Sequence, residues 1–313
     1  MSDAHECVPG PSASVLHAHQ LESAAAGGRD AWRRLDAQEL ARQYNARATV
    51  SDVDAQLQAY RDRSRPMLDL PQRQSLRYGE HPDEMLDLFP VPGNARAPLF
   101  VFVHGGYWRA LGREDSVFMA ENFARHGIAV AAINYSLAPM ARLTDIVAQC
   151  RRSLTWLYQN AGAHGIDVQR IVVAGSSAGG HLAAMLAAPD WRAEAGVPDD
   201  LVKGAVLLSG LYDLLPLQKT TPNQWLRLDV EEARALSPIE ALPATDVRLL
   251  VAAAALDTDE FKRQSQMYAA ACGHKGCVVQ YFEVPQRNHF DVVLDWMDPN
   301  SALTQATWGL FAH

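Results

Sequence analysis

The sequence has no apolar run long enough to cross a bilayer and no excess of basic residues. No stretch of about 18 consecutive apolar residues occurs, so we expect no membrane-spanning helix and no membrane partner. The formal net charge is -8, and Lys and Arg are scattered along the 313 residues. This charge argues against nucleic acid or an anionic lipid surface as a partner.

Cysteine is also scarce, with four residues and no CxxC pair. Such usage fits a reducing cytosol better than a disulfide-rich secreted protein, so we expect a cytoplasmic location. Cys272 and Cys277 flank His274 in "CGHKGC", and these residue types can bind a metal ion. Because no second pair of ligands accompanies them, a turn between a helix and a strand is favoured. We expect neither a metal nor another cofactor.

A secretory signal is missing from the start of the chain. Residues 1–30 have no basic n-region and no apolar h-region, and their Pro, Ser, Ala and Gly content predicts a flexible tail. Residues 31–313 are then expected to form one domain. Helix-like spacing of apolar residues occurs over 31–64, and 73–90 are expected to form paired strands joined by the turn "YGEHPDE".

From about residue 97, short apolar segments alternate with helical ones. Such strands are apolar on both faces, which predicts a mostly parallel, doubly wound α/β sheet covered by helices on both sides. Ligands of these sheets bind beyond the carboxyl ends of the strands. Segments 31–70 and 211–245 are expected to cap that end. The expected strands are "APLFVFV", "IAVAAINY", "RIVVAGS", "GAVLLSG", "VRLLVAAAA" and "CVVQYFEV", and the expected helices are 116–126, 143–160, 178–188 and 260–271.

The segment "GSSAGG" lies between an expected strand and an expected helix. It fits G-x-S-x-G with Ser177 at the centre, a pattern that holds a nucleophilic serine on a tight turn. Ser176 has the wrong glycine spacing and is expected to cap or pack locally. An ordinary Gly/Ser turn is the alternative.

The segment "HGGYW" follows the first strand of the parallel series. Consecutive glycines expose backbone N–H groups, which can stabilise an oxyanion. The expected donors are Gly106, Tyr107 and, after the serine, Ala178, with Gly105 opening the bend. His104 is expected to brace this loop rather than to act as a base.

A nucleophilic serine needs a histidine base and a carboxylate, in the chain order Ser, acid, His. His289 follows the last strand in "PQRNHFDVV", whereas His181 lies in the helix after Ser177. Asp257 follows the preceding strand and is the expected acid, with Asp213 as the competitor. The other acids near Asp257 are expected at a helix start: Asp259 and Glu260.

Four aromatic residues on strand-end loops are candidates for the aromatic side of the substrate site: Tyr107, Trp108, Tyr135 and Tyr212. The alternative for each is packing in the core or in a loop. For Tyr135 both interpretations stay open.

Together, these residues resemble the α/β-hydrolase family, and more narrowly its serine-dependent kynurenine formamidases (arylformamidases) and related esterases. The resemblance spans about residues 39–297 and rests on "QYNAR", "HGGYW", "INYSLAP", "LDTDEFKRQS" and "NHFDVV". It implies hydrolysis of N-formyl-L-kynurenine, a step of tryptophan catabolism, by Ser177, His289 and Asp257. A carboxylesterase or amidase of other specificity, and a non-catalytic binding protein of the same fold, are the alternatives. The expected partner is a small aryl formamide or ester, and a homo-oligomer is compatible with the sequence.

Overall fold

One eight-stranded sheet organises the protein. The computed structural model describes residues 28–312, so the tail expected over residues 1–30 lies outside the described residues except at 28–30. The order of strands across the sheet is β1-β2-β4-β3-β5-β6-β7-β8. In chain order the strands are Gln74–Arg77, Met85–Phe89, Ala97–Val103, Ala129–Ile133, Ile166–Ser176, Val202–Leu208, Arg248–Ala254 and Val279–Val284.

The sheet is antiparallel at one edge and parallel elsewhere. β1 pairs with β2, and β2 with β4, in antiparallel fashion, while β4, β3, β5, β6, β7 and β8 pair in parallel. The turn predicted between β1 and β2 occupies residues 78–84. These pairings confirm the mostly parallel α/β sheet. All carboxyl ends of the parallel strands therefore meet at one edge.

Two apolar layers cover the two faces of the sheet. Side chains alternate along β3: Leu99, Val101 and Val103 belong to one core cluster, and Phe100 and Phe102 belong to the other. This alternation follows from the two-residue period of a strand, and because both faces are covered, β3 reads as a continuous apolar run. Every residue of β3 is buried.

Within residues 28–312, ten α-helices surround the sheet and are labelled α1 to α10 in chain order. Side-chain oxygens of Asp36 and Asp52 accept hydrogen bonds from backbone N–H groups at the starts of α1 and α2. Gly276, with φ of 100°, follows the end of α9 and turns the chain into β8. The helices are Ala37–Gln43, Val53–Leu68, Ala120–Arg125, Leu143–Asn160, Ala178–Ala187, Arg192–Ala195, Asn223–Leu226, Val230–Ala235, Asp259–Lys275 and Ala302–Gly309.

The predicted helices differ from the observed ones mainly near the N-terminus. The expected helix over 31–64 is divided into α1, α2 and two short 3-10 helices, Ala31–Arg34 and Ala46–Thr49. The expected helix over 116–126 is helical only from Ala120. The predictions for α4 and α5 are confirmed. The expected turn at Cys272–Cys277 is shorter than predicted, because α9 continues to Lys275 and only Gly276 and the two residues after it separate α9 from β8.

The segment between β6 and β7 contains only short helices. Besides α7 and α8 it includes the 3-10 helices Leu215–Lys219 and Pro238–Glu240. Within residues 28–312, no helix is both long and apolar enough to cross a bilayer.

Candidate active site

Ser177 sits on the turn between β5 and α5. Its φ of 58° and ψ of -121° are unusual for a residue with a side chain, and such strain is typical of functional turns. The Ser177 N–H donates to the carbonyl oxygen of Leu208 on β6, at 2.8 Å. This bond ties the strained turn to the neighbouring strand. Ser177 therefore has a fixed backbone position at the carboxyl edge of the sheet.

The two outer glycines of G-x-S-x-G are required by backbone contacts. A Cβ on Gly175 would lie 2.1 Å from the carbonyl oxygen of Gly179, and a Cβ on Gly179 would lie 2.0 Å from that of Val103. Real Cβ atoms do not approach backbone oxygens so closely, and backbone cannot easily move. Any side chain at either position would push α5 away from the sheet.

The structure brings Ser177, His289 and Asp257 into one hydrogen-bonded chain. The Nε2 atom of His289 lies 2.9 Å from Oγ of Ser177, and its Nδ1 atom lies 2.6 Å from Oδ1 of Asp257. All three residues are buried, with relative exposures of 5–8%. A carboxylate on Nδ1 fixes the tautomer in which Nε2 can accept a proton from the hydroxyl.

The Asp257 carboxylate has further partners on its second oxygen. Ser209 Oγ donates to Oδ2 at 2.6 Å, and the backbone N–H of Ala254 donates at 3.0 Å. Ser209 follows β6 with φ of 47° and is fully buried. These donors hold the carboxylate in the plane that faces His289.

The two other histidines near the site, His104 and His181, have partners other than Ser177. His104 Nδ1 contacts the carbonyl oxygen of Gly105 at 3.0 Å, and its ring stacks on Tyr135 at 4.1 Å. His181 Nε2 donates to the carbonyl oxygen of Leu236 at 2.7 Å. Burial lowers the pKa of each of these two histidines to about 4, so both are neutral at pH 7. His104 is therefore a brace of the loop after β3.

The competing carboxylates also have other partners. Asp213 accepts the N–H of Leu215 at 3.1 Å and forms an ion pair with Arg29 at 2.8 Å. Asp259 and Glu260 occupy the first turn of α9, where acids are favoured by the helix dipole. Asp257 is the carboxylate that contacts His289.

The loop after β3 passes directly against the serine. A Cβ on Gly105 would lie 3.4 Å from Cβ of Ser177 and 2.8 Å from the carbonyl oxygen of Ser176. Gly106, Tyr107 and Trp108 are all left-handed, with φ of 92°, 52° and 54°. A glycine is needed at Gly106, because a Cβ there would lie 2.2 Å from the carbonyl oxygen of Ala110.

Two hydrogen bonds to the segments expected to form a cap hold this left-handed loop in place. Tyr107 donates its hydroxyl to the carbonyl oxygen of Tyr44 at 2.6 Å. Trp225 Nε1 donates to the carbonyl oxygen of Tyr107 at 3.1 Å. The backbone N–H groups of Gly106, Tyr107 and Ala178 have no acceptor among residues 28–312. They are therefore free to donate to a ligand beside Ser177.

The segment "QYNAR" links the loop after β3 to the start of α9. Tyr44 donates its hydroxyl to Oε2 of Glu260 at 2.9 Å and accepts from Nε2 of Gln264 at 3.0 Å. Thr258 Oγ1 donates to the carbonyl oxygen of Gln43 at 2.6 Å. Burial beside Glu260 raises the pKa of Tyr44, so its hydroxyl remains a donor. The segment thus connects the loop after β3 with the loop that carries Asp257.

A cavity of about 430 Å³ opens in front of Ser177. Its wall combines the catalytic loops with side chains of the two segments expected to form a cap. From the first segment come Ala46, Arg47, Leu57 and Tyr60, and from the second comes Trp225. The remaining lining residues are Phe102, Gly105, Gly106, Tyr107, Arg109, Ala110, Leu111, Ser116, Phe118, Ser176, Ser177, His289, Phe290 and Val293.

Of the four aromatic candidates for substrate binding, Tyr107 lines this wall and the other three do not. Trp108 is fully buried with its ring edge-to-face against His181 at 5.0 Å. Tyr135 donates to the carbonyl oxygen of His104 at 2.8 Å, and Tyr212 stacks on Tyr268 at 4.4 Å. The structure thus places all three in the packing role that was the alternative.

Several residues of the site were missed from the sequence. Ser209 ends the predicted strand "GAVLLSG", and a serine at a strand end was the available signal. Phe118, Leu111 and Arg109 carry no motif, and only the folded loops bring them to the cavity. Within the described residues 28–312, no group of three or more His, Cys, Asp or Glu side chains is arranged to hold a metal ion.

Comparisons with known proteins show which family the chain resembles. The family model BD-FAE matches residues 86–252. A kynurenine formamidase of Salmo salar is 33% identical over 88% of this chain and 96% of its own length.

Solved structures show the same architecture. A structure from a Silicibacter species is 29% identical, with a TM-score of 0.75 over 85% of this chain and 98% of that one. A thermophilic carboxylesterase cloned from a metagenomic library is 20% identical, with a TM-score of 0.65 over 89% of this chain and 97% of that one. The second similarity supports the fold alone.

Proposed function

Because the chain belongs to the kynurenine formamidase family of α/β-hydrolases, and is thus a hydrolase of the formamidase or esterase kind, we propose that it hydrolyses N-formyl-L-kynurenine to L-kynurenine and formate. The observation that carries the proposal is the chain of hydrogen bonds from Asp257 through His289 to Ser177, at the mouth of an aromatic cavity. This arrangement is that of a serine nucleophile with its base.

In the first step, Ser177 Oγ attacks the formyl carbon while His289 Nε2 takes the hydroxyl proton. The Asp257 carboxylate accepts the Nδ1–H bond and stabilises the imidazolium that forms. The 2.9 Å separation of Nε2 and Oγ allows this transfer without rearrangement.

The carbonyl oxygen becomes negatively charged as the tetrahedral intermediate forms. The unpaired N–H groups of Gly106, Tyr107 and Ala178 are its expected donors. One such donor typically stabilises the transition state by about 3 kcal/mol. The N–H of Ala178 also lies at the N-terminus of α5, where the helix dipole favours negative charge.

The intermediate collapses when the C–N bond breaks and His289 gives its proton to the leaving arylamine. Ser177 then carries a formyl ester. A water molecule, deprotonated by His289, attacks this ester; formate leaves, and the serine hydroxyl is restored. One formamide and one water thus give one amine, one formate and one proton.

The cavity suits an aromatic leaving group. Its volume of about 430 Å³ lies in the range of sites for small organic molecules. Six of its lining residues are aromatic: Tyr60, Phe102, Tyr107, Phe118, Trp225 and Phe290. We propose that residues 31–70 and 211–245 act as the cap, since both contribute side chains to this wall.

The first test compares Ser177→Ala with Ser176→Ala. Ser176 lines the cavity next to Ser177 and serves as the matched control. We expect Ser177→Ala to lower kcat for N-formyl-L-kynurenine by at least about 10⁴-fold, because the nucleophile is lost. Ser176→Ala should keep kcat within about tenfold of the wild type. Full turnover by Ser177→Ala on any ester or formamide would contradict the assignment of the nucleophile.

The substrate is tested separately, by kcat/KM of the wild-type enzyme for N-formyl-L-kynurenine and for p-nitrophenyl acetate. A negligible value for the formamide beside a measurable one for the ester would replace the proposed activity with that of a carboxylesterase. Such an outcome would leave the roles of Ser177, His289 and Asp257 in place.

A further inference from the structure

The wall of the cavity has a charge opposite to that of the whole chain. The chain has a net charge of -8, yet the cavity is lined by two arginines, Arg47 and Arg109, and by no Asp or Glu. A cleft lined by one sign of charge concentrates ligands of the other sign. The cavity is therefore suited to a substrate that carries a negative charge.

The two arginines differ in their contacts with the described part of the chain. The Arg109 guanidinium lies over the ring of Trp225, with Cζ 4.7 Å from the ring centroid, and it makes no hydrogen bond or ion pair within residues 28–312. Arg47 faces Asp54, with 3.6 Å between Nη2 and Oδ1. Stacking occupies one face of the Arg109 guanidinium and leaves its N–H edge available.

The position of Arg109 is coupled to the oxyanion loop. Its backbone N–H donates to the carbonyl oxygen of Gly106 at 3.0 Å. Trp225, beneath its guanidinium, donates to the carbonyl oxygen of Tyr107. The guanidinium is thereby held against the same loop that supplies the expected oxyanion donors, at the cavity that contains Ser177.

We propose that Arg109 binds a carboxylate of the substrate and so selects aryl formamides whose amine portion is an amino acid. This inference rests on the proposed function. Because a formyl group carries no carboxylate, the anion must belong to the amine that leaves. A planar guanidinium can donate two parallel hydrogen bonds to a carboxylate, which fixes the orientation of the substrate as well as its affinity.

A purely structural role for Arg109 predicts a different outcome. If the side chain only covered Trp225, its loss would affect charged and neutral substrates alike, through the shape of the wall. A carboxylate-binding role affects charged substrates alone. The two roles are therefore separated by a pair of substrates that differ only in the carboxylate.

The experiment measures kcat and KM for N-formyl-L-kynurenine and for its methyl ester. The enzymes are the wild type, Arg109→Gln, Arg109→Lys and the control Arg125→Gln. Arg125 is an exposed arginine on α3 that pairs with Glu121 outside the cavity. Thermal unfolding of each variant shows whether it is folded.

We expect Arg109→Gln to lower kcat/KM for N-formyl-L-kynurenine by about 10- to 100-fold, mainly through KM, as for the loss of hydrogen bonds to a charged group. The same variant should change kcat/KM for the methyl ester by less than about threefold. Arg109→Lys should recover part of the loss, because it keeps the charge without the paired donors. Arg125→Gln should match the wild type on both substrates.

Equal losses on the acid and its methyl ester, or no loss on either, would overturn the role of Arg109. If the wild type hydrolyses neither formamide, the proposed function fails, and 3-acetoxybenzoate and its methyl ester replace them. In that pair the leaving phenol carries the carboxylate. A loss of kcat/KM by Arg109→Gln for 3-acetoxybenzoate, but not for its methyl ester, would then support carboxylate binding. An equal effect on both esters, or no effect, would contradict carboxylate binding.

Discussion

At the scale of single residues, the Asp257 carboxylate depends on two hydrogen bonds to its second oxygen, from the Ser209 hydroxyl at 2.6 Å and from the Ala254 N–H at 3.0 Å. Ser177, Asp257 and His289 were predicted from a tight Gly/Ser turn and from the ends of two later strands, and the structure brings them within hydrogen-bond distance. Ser209 was not predicted, because a serine at a strand end has no motif of its own. Only the pairing of β6 with β7 brings it to Asp257.

We expect Ser209→Ala to lower kcat by about tenfold, with little change in KM. The substitution removes one of the two donors to Asp257 Oδ2, and a hydrogen bond to a charged group typically contributes about 1.5–3 kcal/mol. The Ala254 N–H remains and keeps part of the orientation. Steady-state kinetics on p-nitrophenyl acetate measure the effect.

The control for this prediction is Ser153→Ala. Ser153 is an equally buried serine on α4 whose hydroxyl donates to the carbonyl oxygen of Cys150. It should alter stability without altering kcat. A loss of kcat of the same size in both variants would show that Ser209 acts through general stability and not through Asp257.

At the scale of elements, buried strands and long helices were predictable, and short helices were not. α4 begins and ends at the predicted residues, because its apolar residues recur three and four apart over 18 positions. The helix expected over 31–64 is interrupted, and Asp52 starts a new helix within it. An Asp before an apolar segment indicates the start of a helix. Here the helical spacing of apolar residues continues across the break, so the new start at Asp52 was not recognised.

Two glycines inside helices should respond to alanine in opposite ways. A Cβ on Gly179 in α5 would lie 2.0 and 2.7 Å from two backbone carbonyl oxygens. A Cβ on Gly273 in α9 would have no other atom within 4 Å. We expect Gly179→Ala to lower the free energy of unfolding by about 3 kcal/mol or more and to abolish activity. Gly273→Ala should raise it by about 0.5–1 kcal/mol, since alanine loses less backbone entropy.

Urea denaturation of both variants measures these changes. Gly273→Ala is also the matched control, because it adds the same methyl group to a helix at an uncrowded position. A stable and active Gly179→Ala would mean that α5 can move away from the sheet without disturbing Ser177.

At the scale of the whole molecule, the composition of the cavity could not be derived from the sequence. Strand-end aromatic residues were predicted to bind substrate, but Trp108, Tyr135 and Tyr212 all pack inward. The cavity takes Tyr60 from the segment before β1 and Trp225 from the segment between β6 and β7, the two segments that were expected to cap the site. Which way a loop side chain points depends on how all the elements pack together, and local sequence does not carry that information.

Burial of neutral histidines should make the whole fold sensitive to acid. The pKa values of His104 and His181 are lowered from 6.5 to about 4 by burial, so the unfolded chain binds protons at a higher pH than the folded protein does. The contribution of the two neutral histidines to the free energy of unfolding is fully present above about pH 6.5. It is lost as the pH falls towards about 4. Each histidine contributes up to about 3 kcal/mol. Urea denaturation at a series of pH values measures the loss.

The comparison with His181→Gln isolates one of these groups. Glutamine keeps an N–H donor for the carbonyl oxygen of Leu236 but does not titrate. Between pH 4.5 and 6, unfolding of this variant should take up about one proton fewer than unfolding of the wild type. The slope of its unfolding free energy against pH should therefore be smaller by about 1.4 kcal/mol per pH unit. Identical slopes for wild type and His181→Gln would contradict the prediction.

The order of the strands also has a consequence for folding. Ser177 and His289 are 112 residues apart, and the Tyr44–Glu260 bond spans 216 residues. Contacts this distant form late, because the chain must close long loops before they can contribute. During synthesis, which proceeds from the N-terminus, the nucleophile and its glycine loop emerge long before their base. Recovery of ester hydrolysis in a refolding experiment is therefore a measure of the completed sheet, up to and beyond β8, and not of any half of it.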